Sequence, residues 1–361
     1  MKRKILFIAS HRKDRAPGQR FRFEQYFDYL DQHGFTCELS SLLNEKSDKI
    51  LYKTGHYFSK LTIFIQSYLI RFKNLLRKNE YDIIFIYREA LMTRSIYFEK
   101  QFRKSKAKIV FDFDDAIWHF DISDANKKLG WLKDPSKTAK IISLSDLVIA
   151  GNNYLADYAR KYSQNVVVIP TTIDTDYHKE AILYSDRRTI CIGWTGSHTT
   201  IKHFEFAVPF LKKLKQKYGD KIYFKVIGDS SYKNTELGIT GITWNKENEI
   251  KELSTFDIGI MPLPDDEWAK GKCGLKGLQY MALEIPCIMS PVGVNCEIIS
   301  DGINGYLAKN NKEWVEKISL LIENNELRKQ IGVHARKTVE EKYSVESQKE
   351  KYLNLFKQLL K

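Results

Sequence analysis

Residues 261–307 read MPLPDDEWAKGKCGLKGLQYMALEIPCIMSPVGVNCEIISDGINGYL. The stretch parses as the end of a strand (Ile258 to Met261), a glycine-containing loop with two lysines, a helix from Gly274 to Leu283 and a buried strand from Pro286 to Ser290. A strand, a loop and a helix start in that order make an anion pocket. Free backbone N–H groups and the positive end of the helix dipole face the loop, and Lys272 and Lys276 add whole charges. Lys276 and Gln279 fall on a polar edge of the helix, while Leu278 and Met281 fall on the face that seeks a core. The polar end is therefore the end presented to a ligand.

KCGLKGLQYMA, followed by PCIMSPVGVNCEII and then DGINGYL, resembles the nucleotide-sugar-binding half of the retaining family 4 glycosyltransferases, also called glycosyl transferases group 1. The resemblance implies the GT-B architecture: two Rossmann-like, doubly wound α/β domains facing across a cleft, with a C-terminal helix crossing back to the N-domain. It implies an acceptor-binding domain over 1–170, joined by the helix 344–361, and a donor-binding domain over 171–343. The hinge is expected between Pro170 and Arg188. Many members carry two glutamates separated by seven residues, where this chain has Gly271 and Gln279. The glutamine keeps the capacity to hydrogen-bond a hydroxyl but loses the charge.

The length, 361 residues, exceeds the size at which one core keeps growing, so two domains are expected on that ground as well. No apolar run reaches the length of a membrane span, and the apolar part of MKRKILFIASHRKDR is too short for a signal peptide. Ile5 to Ala9 reads instead as a first buried strand. Cysteines 37, 191, 273, 287 and 296 form no CxxC pair and are odd in number, which suggests reduced thiols in a cytoplasmic protein and shows no zinc site. With 58 basic against 45 acidic residues the chain carries +13. That charge suits a lysine-rich surface, an anionic lipid or a nucleotide; no stacking motif for nucleic acid accompanies it, so that partner is ranked last.

The N-terminal half alternates strands and helices. Lys4 to Ala9 feeds the loop SHRKDRAPGQR, then a helix carrying Phe23, Phe27 and Leu30 that ends at His33-Gly34. In related enzymes this loop faces the cleft, which makes Gly18 and Arg20 candidate donor contacts and Arg22 a candidate acceptor contact. Both arginines read equally as solvated residues at a helix start. DIIFIY (82–87) and KIVF (108–111) are the apolar runs that central parallel strands need, and each ends in charge. Arg88-Glu89 follows the first and Asp112, Asp114 and Asp115 follow the second, at the strand ends where ligands of open α/β sheets bind. Strand alternation would place Asp112 and Asp114 on one side, as catalytic candidates, and turn Asp115 away. Arg88, Glu89 and Asp115 are acceptor-binding candidates. The aspartates are open to three uses: holding an acceptor hydroxyl, holding a divalent metal, or capping the turn and pairing with Arg88 or Arg94. Metal is the weaker choice where lysines and a helix end already neutralise a diphosphate.

Residues 49–78, KILYKTGHYFSKLTIFIQSYLIRFKNLLRK, contain seven Lys or Arg and no acid. The segment reads as a helix packed on the protein that exposes an edge to an anionic inner leaflet, or as a crossover helix with its basic residues outside. A peripheral location on the inner face of the plasma membrane follows from the first of these.

The second half opens with Ile190 to Trp194 and the turn Thr195-Gly196-Ser197-His198. In the family this turn wraps the donor diphosphate, with an arginine where Ser197 stands and a lysine at the position of Lys202. Thr195, Gly196, Ser197, Lys202, Gly274, Leu275, Gln279 and Glu297 are therefore donor-binding candidates by resemblance, and Lys272 and Lys276 are the catalytic cations. Lys202 reads equally as a helix-surface lysine, and Glu297 also as an acid stabilising a helix start. His198 offers a general base but reads first as a turn residue, and Trp244, near where the resemblance places the nucleotide base, reads first as a core residue.

The expected activity is that of a hexosyltransferase-type, retaining enzyme moving sugar from a UDP- or GDP-sugar to a hydroxyl of a glycan or polyprenyl-linked acceptor in bacterial surface polysaccharide synthesis. It needs no metal or other cofactor, because cations and a helix end stabilise the leaving diphosphate. A GT-B nucleotide-sugar epimerase and a non-catalytic nucleotide-sugar-binding protein are the alternatives. A glycoside hydrolase would pair two carboxylates, such as Asp114 and Glu297, and leave the lysines without a task.

Overall fold

The computed structural model describes residues 2–119, 130–179 and 189–361, so the expected hinge lies partly outside the described residues. The chain forms two compact units, Met1–Thr171 with Gln348–Lys361, and Thr172–Ser347.

The first unit is built on a parallel sheet of six strands: β1 (Arg3–Ala9), β2 (Phe35–Ser41), β3 (Ile83–Tyr87), β4 (Lys108–Phe113), β5 (Leu147–Ala150) and β6 (Val166–Val168). Their order is β2-β1-β3-β4-β5-β6. The inner strands are continuous apolar runs because both faces are covered, and every residue of β3 and β5 is buried. The edge strands β2 and β6 are only half-buried. The expected helix carrying Phe23, Phe27 and Leu30 is broken into Pro17–Arg22, a single turn Glu24–Tyr26, and Phe27–Gln32. Phe23 leaves the helical region (φ −141°) and stacks on Phe7 at 5.2 Å between ring centroids. Core packing of one aromatic ring outweighs the continuity of the helix here.

The last helix, Val345–Leu359, returns to this unit. Tyr352, Leu353 and Phe356 are its buried face, each contributing about 1.5–3 kcal/mol of apolar burial. Tyr352 stacks on Tyr26 at 4.5 Å and donates its hydroxyl hydrogen to the Arg22 carbonyl at 3.1 Å.

The helix Tyr57–Leu76 departs from the crossover reading in an instructive way. Its buried residues are Lys60, Ile63, Ser67, Arg71 and Asn74, four of them polar. Arg71, with no exposure, donates to the carbonyls of Ala9, Ser40 and Ala90. The basic residues expected outside are thus partly inside, and the large apolar side chains are outside.

The second unit carries a parallel sheet of β7 (Ile190–Thr195), β8 (Ile222–Ile227), β11 (Ile258–Met261), β12 (Cys287–Met289) and β13 (Tyr306–Leu307). The order is β13-β12-β11-β7-β8, with a small antiparallel pair, β9 (Lys233–Asn234) and β10 (Ile239–Thr240), beside it. Trp194, Phe210, Leu211, Ile258, Ile260 and Trp314 belong to its core. The decisive helix runs Leu275–Ala282, within a residue of each expected end. Leu278 and Met281 are fully buried, and the Tyr280 hydroxyl accepts a hydrogen bond from the Thr195 N–H at 2.8 Å. That bond ties the helix to the end of β7, where the next loop begins.

Candidate functional site

In the second unit three lysines act on one point. Lys202 stands on the short helix Ile201–Phe204, Lys272 in the loop before the decisive helix, and Lys276 in that helix's first turn. All three press their charge on His203, which is 4% exposed and whose Nδ1 is buried without a hydrogen-bond partner among the described residues. Burial is the largest cause and the fields of Lys276, Lys272 and Lys202 follow; together they push the His203 imidazole down to about 4, against a smaller opposing pull from Asp266. Lys276 lies over the Trp194 ring at 5.6 Å and Lys272 over Trp268 at 5.0 Å, so both stems rest on aromatic surface. A neutral histidine among three cations marks a region of strong positive potential.

The loop beside them leaves no room for a side chain at its glycine. Gly274 caps the helix with φ +69°, where L side chains are strained, and a Cβ there would sit 2.3 Å from Ile298 Cδ1. Leu275 is the first helical residue. Ile298 belongs to the short helix Asn295–Ile298, which also carries Glu297, exposed. At the other side, the Gly196 N–H donates to the Ile227 carbonyl at 2.9 Å. Ser197 caps the next turn reciprocally with Thr200, its N–H donating to Thr200 Oγ1 at 2.9 Å. The serine at the family's arginine position is therefore a cap. His198 is more than a turn residue: its Nδ1 is 2.8 Å from Asp229 Oδ2, so a buried carboxylate fixes the ring while the ring itself is exposed. Asp229 titrates below the usual carboxylate range, burial opposing and the Ser231 and His198 contacts prevailing.

Gln279 is buried and donates to Glu249 Oε1 at 3.2 Å; Trp244 Nε1 donates to the same oxygen at 2.9 Å. Trp244 is half-buried and lines a small pocket with Ile227, Ile242, Thr243, Asn248 and Glu249. This corrects the core reading of Trp244. Glu249 was hidden in the sequence as one acid among several at a helix start, and only the fold brings it to Gln279, thirty residues away.

In the first unit the ends of β1, β3 and β4 gather the other candidates. Asp112 and Arg22 are both without exposure and joined by two bonds, Arg22 Nη2 to Asp112 Oδ2 at 2.6 Å and Arg22 Nε to Asp112 Oδ1 at 3.1 Å; Arg22 also donates to the Ile169 carbonyl. Burial raises the Asp112 carboxyl, and the Arg22 charge works against it. Neither side chain has a surface to offer an acceptor. Asp114 lies just past β4 and accepts from the Tyr87 hydroxyl at 2.7 Å and Arg88 Nε at 2.8 Å. Arg88 also binds Asp115 at 2.6 Å, so Asp115 does not turn away. Alternation applies only to the end of the strand at Phe113, and beyond it Arg88 gathers the two carboxylates. Arg88 itself holds φ +63°, rare for a residue with a side chain. Gly18 approaches this group so closely that a Cβ would lie 2.0 Å from the Tyr87 hydroxyl and 3.0 Å from Asp114 Oδ2. Arg20 is 8% exposed and lies over the Phe21 ring at 4.8 Å. Glu89 pairs with Lys137, which is anchored on the Leu91 carbonyl. Among the described residues no group of three or more His, Cys, Asp or Glu is placed to hold a metal ion.

The histidine gives a pH prediction. A free histidine titrates near 6.5, so between that pH and about 4 the unfolded chain binds a proton that the folded chain refuses. The contribution is intact above the unfolded value and is lost as pH falls through this window, by roughly 3 kcal/mol at most. Urea denaturation of wild type and His203→Phe between pH 7 and 4 checks it: the variant should lose less stability on acidification than the wild type.

Residues 188–324 match the family model described as Glycosyl transferases group 1. Over 86 residues the chain is 36% identical to the poly(ribitol-phosphate) alpha-N-acetylglucosaminyltransferase of Staphylococcus aureus (strain COL), a match covering 23% of this chain and 17% of that protein. It spans between 17% and 54% of the lengths of the curated relatives it matches. Its fold is similar to that of a glycosyltransferase from Rickettsia africae ESF-5 (TM-score 0.69, 20% identity, 100% of this chain and 99% of that one). It is also similar to Anabaena HepE solved in complex with UDP-glucose (TM-score 0.68, 14% identity, 98% and 99%). The chain therefore has the GT-B fold, and residues 188–324 of its second unit match the glycosyl transferases group 1 model.

Proposed function

We propose that this chain is a retaining glycosyltransferase that moves a sugar from a nucleoside diphosphate sugar to a hydroxyl of a glycan or lipid-linked acceptor. One observation carries the reading: Lys202, Lys272 and Lys276, from three separate segments, all bear electrostatically on the buried His203, and Lys276 stands in the first turn of the Leu275–Ala282 helix. Clustered cations and a helix N-terminus stabilise a diphosphate most when it gains charge, as it does on leaving the sugar. The nucleobase lies against Trp244 in the pocket lined by Ile242 and Asn248, and the ribose hydroxyls meet Glu249 and Gln279. Glu249 thus returns the carboxylate that position 279 lacks. Thr195, Gly196 and Glu297 flank the diphosphate and sugar, and the Asp229-fixed His198 reaches in from the same loop.

In the first unit Asp114, held by Tyr87 and Arg88, is the group for an acceptor hydroxyl, with Asp115, Gly18 and Arg20 around it. Asp112, Arg22 and Glu89 position this group without touching substrate. The lysine cluster supports a proton transfer to the leaving phosphate itself. The similarity to an N-acetylglucosaminyltransferase and to a UDP-glucose-binding protein favours a UDP-hexose or UDP-N-acetylhexosamine as donor.

A panel of UDP- and GDP-sugars incubated with the full chain and bacterial lipid or polysaccharide extract tests the reading. Release of nucleoside diphosphate together with an added sugar mass on the acceptor, in the anomeric configuration of the donor, is the expected result. Turnover of donor without acceptor would indicate an epimerase, and binding without any turnover a non-catalytic protein.

A further inference from the structure

The helix Tyr57–Leu76 is amphipathic the wrong way round for water. Phe58, Leu61, Ile65, Leu69, Phe72 and Leu76 are 89, 55, 49, 60, 44 and 73% exposed. Their steps of three and four residues put them on one stripe along the whole helix. The opposite face, turned to the protein, holds Lys60, Ser67, Arg71 and Asn74, all buried. Reversing the helix about its axis would bury the apolar stripe and wet the polar one, so hydrophobic burial within this chain does not explain the orientation. Instead Arg71 locks it: the guanidinium donates to three backbone carbonyls from the ends of β1, β2 and the segment after β3. The apolar stripe is held outward by a buried polar anchor.

An exposed stripe of six large apolar side chains implies a second apolar phase. Charge decides which one. Residues 49–78 carry no acid; of their seven basic residues Lys60 and Arg71 are buried, and Lys49 and Arg77 pair with Glu45 and with Glu38 and Glu80. Lys53 and Lys73 are exposed near the two ends of the helix. Two copies of this helix face to face would set cation against cation, whereas a bilayer carrying anionic headgroups offers both the apolar interior and the opposite charge. No described helix is long and apolar enough to cross a membrane, so the contact is one of lying in the interface.

We propose that the Tyr57–Leu76 helix docks this chain on an anionic lipid surface, with the Phe58 to Leu76 stripe at the boundary between headgroups and acyl chains. The inference stands on the helix alone and does not depend on what the lysine cluster of the second unit binds. If the acceptor is lipid-linked, the same helix brings the enzyme to it.

Flotation of the full chain with vesicles of phosphatidylcholine, or of phosphatidylcholine mixed with phosphatidylglycerol, tests it. Wild type should float with the mixed vesicles and be released by salt. Phe58→Ser/Leu61→Gln/Leu69→Gln, at exposed positions that leave the core intact, should reduce that partitioning about tenfold or more. Lys53→Ser/Lys73→Ser should weaken the preference for the anionic lipid by several-fold while leaving the weaker, uncharged component. Circular dichroism establishes that both variants are folded. Wild type that floats with neither vesicle overturns the proposal, as does a triple variant that floats as well as wild type. A wild-type dimer in sedimentation that the triple variant dissolves, without vesicle binding, would assign the stripe to a second copy instead.

Discussion

Lys276→Ala is expected to weaken binding of a nucleoside diphosphate about tenfold or more and to lower turnover by about 10²–10³-fold. Of the three lysines, Lys276 alone combines a whole charge with a place in the first turn of the Leu275–Ala282 helix. The change removes a charge-assisted hydrogen bond in binding and a larger stabilisation once the diphosphate carries the leaving charge, so kcat should fall more than affinity. Truncation removes a stem that lies over Trp194, not a core side chain, so thermal stability should stay near that of wild type. Lys276→Arg should recover part of the binding. Titration calorimetry with UDP and GDP, beside steady-state kinetics, makes the measurement. Unchanged diphosphate affinity in Lys276→Ala would remove this lysine from the site.

The second large effect concerns stability. Asp112→Asn leaves the Arg22 guanidinium fully buried without its counter-charge, and the expected loss is roughly 3–5 kcal/mol of unfolding free energy. Arg22→Met strands the carboxylate and should cost about as much. Replacing both at once, Arg22→Met with Asp112→Leu, removes the charges together and should recover most of that loss. Urea denaturation of the three variants distinguishes a positioning pair from a catalytic one. Single variants of wild-type stability and no activity would return Asp112 to the role of a substrate contact.

That pair also shows where reading the sequence stopped. The strand ends were legible because parallel central strands are long apolar runs, and charge directly after them marks the ligand-binding edge of the sheet. Which charges meet was not legible. Arg22 and Asp112 are ninety residues apart, and Arg22 could be read as solvated only because periodicity says nothing about a partner arriving from another strand. Alternation misplaced Asp115 because the strand stops at Phe113. The decisive helix was readable almost to the residue, since a glycine cap, two lysines and an apolar face are all local signals. Its partners Glu249 and His203 were not, because each depends on how β8 and β11 flank β7. The outward-facing stripe of the Tyr57–Leu76 helix was half legible: the pattern of apolar and basic residues was plain. Which side faced the sheet was fixed by one buried arginine.

The helix-mouth cluster is the claim on which the functional reading rests, and the position of a bound diphosphate tests it most directly. A crystal structure of the chain with UDP or a UDP-sugar should show the diphosphate within hydrogen-bond reach of Lys272 and Lys276, beside the Gly274 cap, with the base against Trp244. Density for the nucleotide away from those lysines, with the cluster left to solvent, would contradict it.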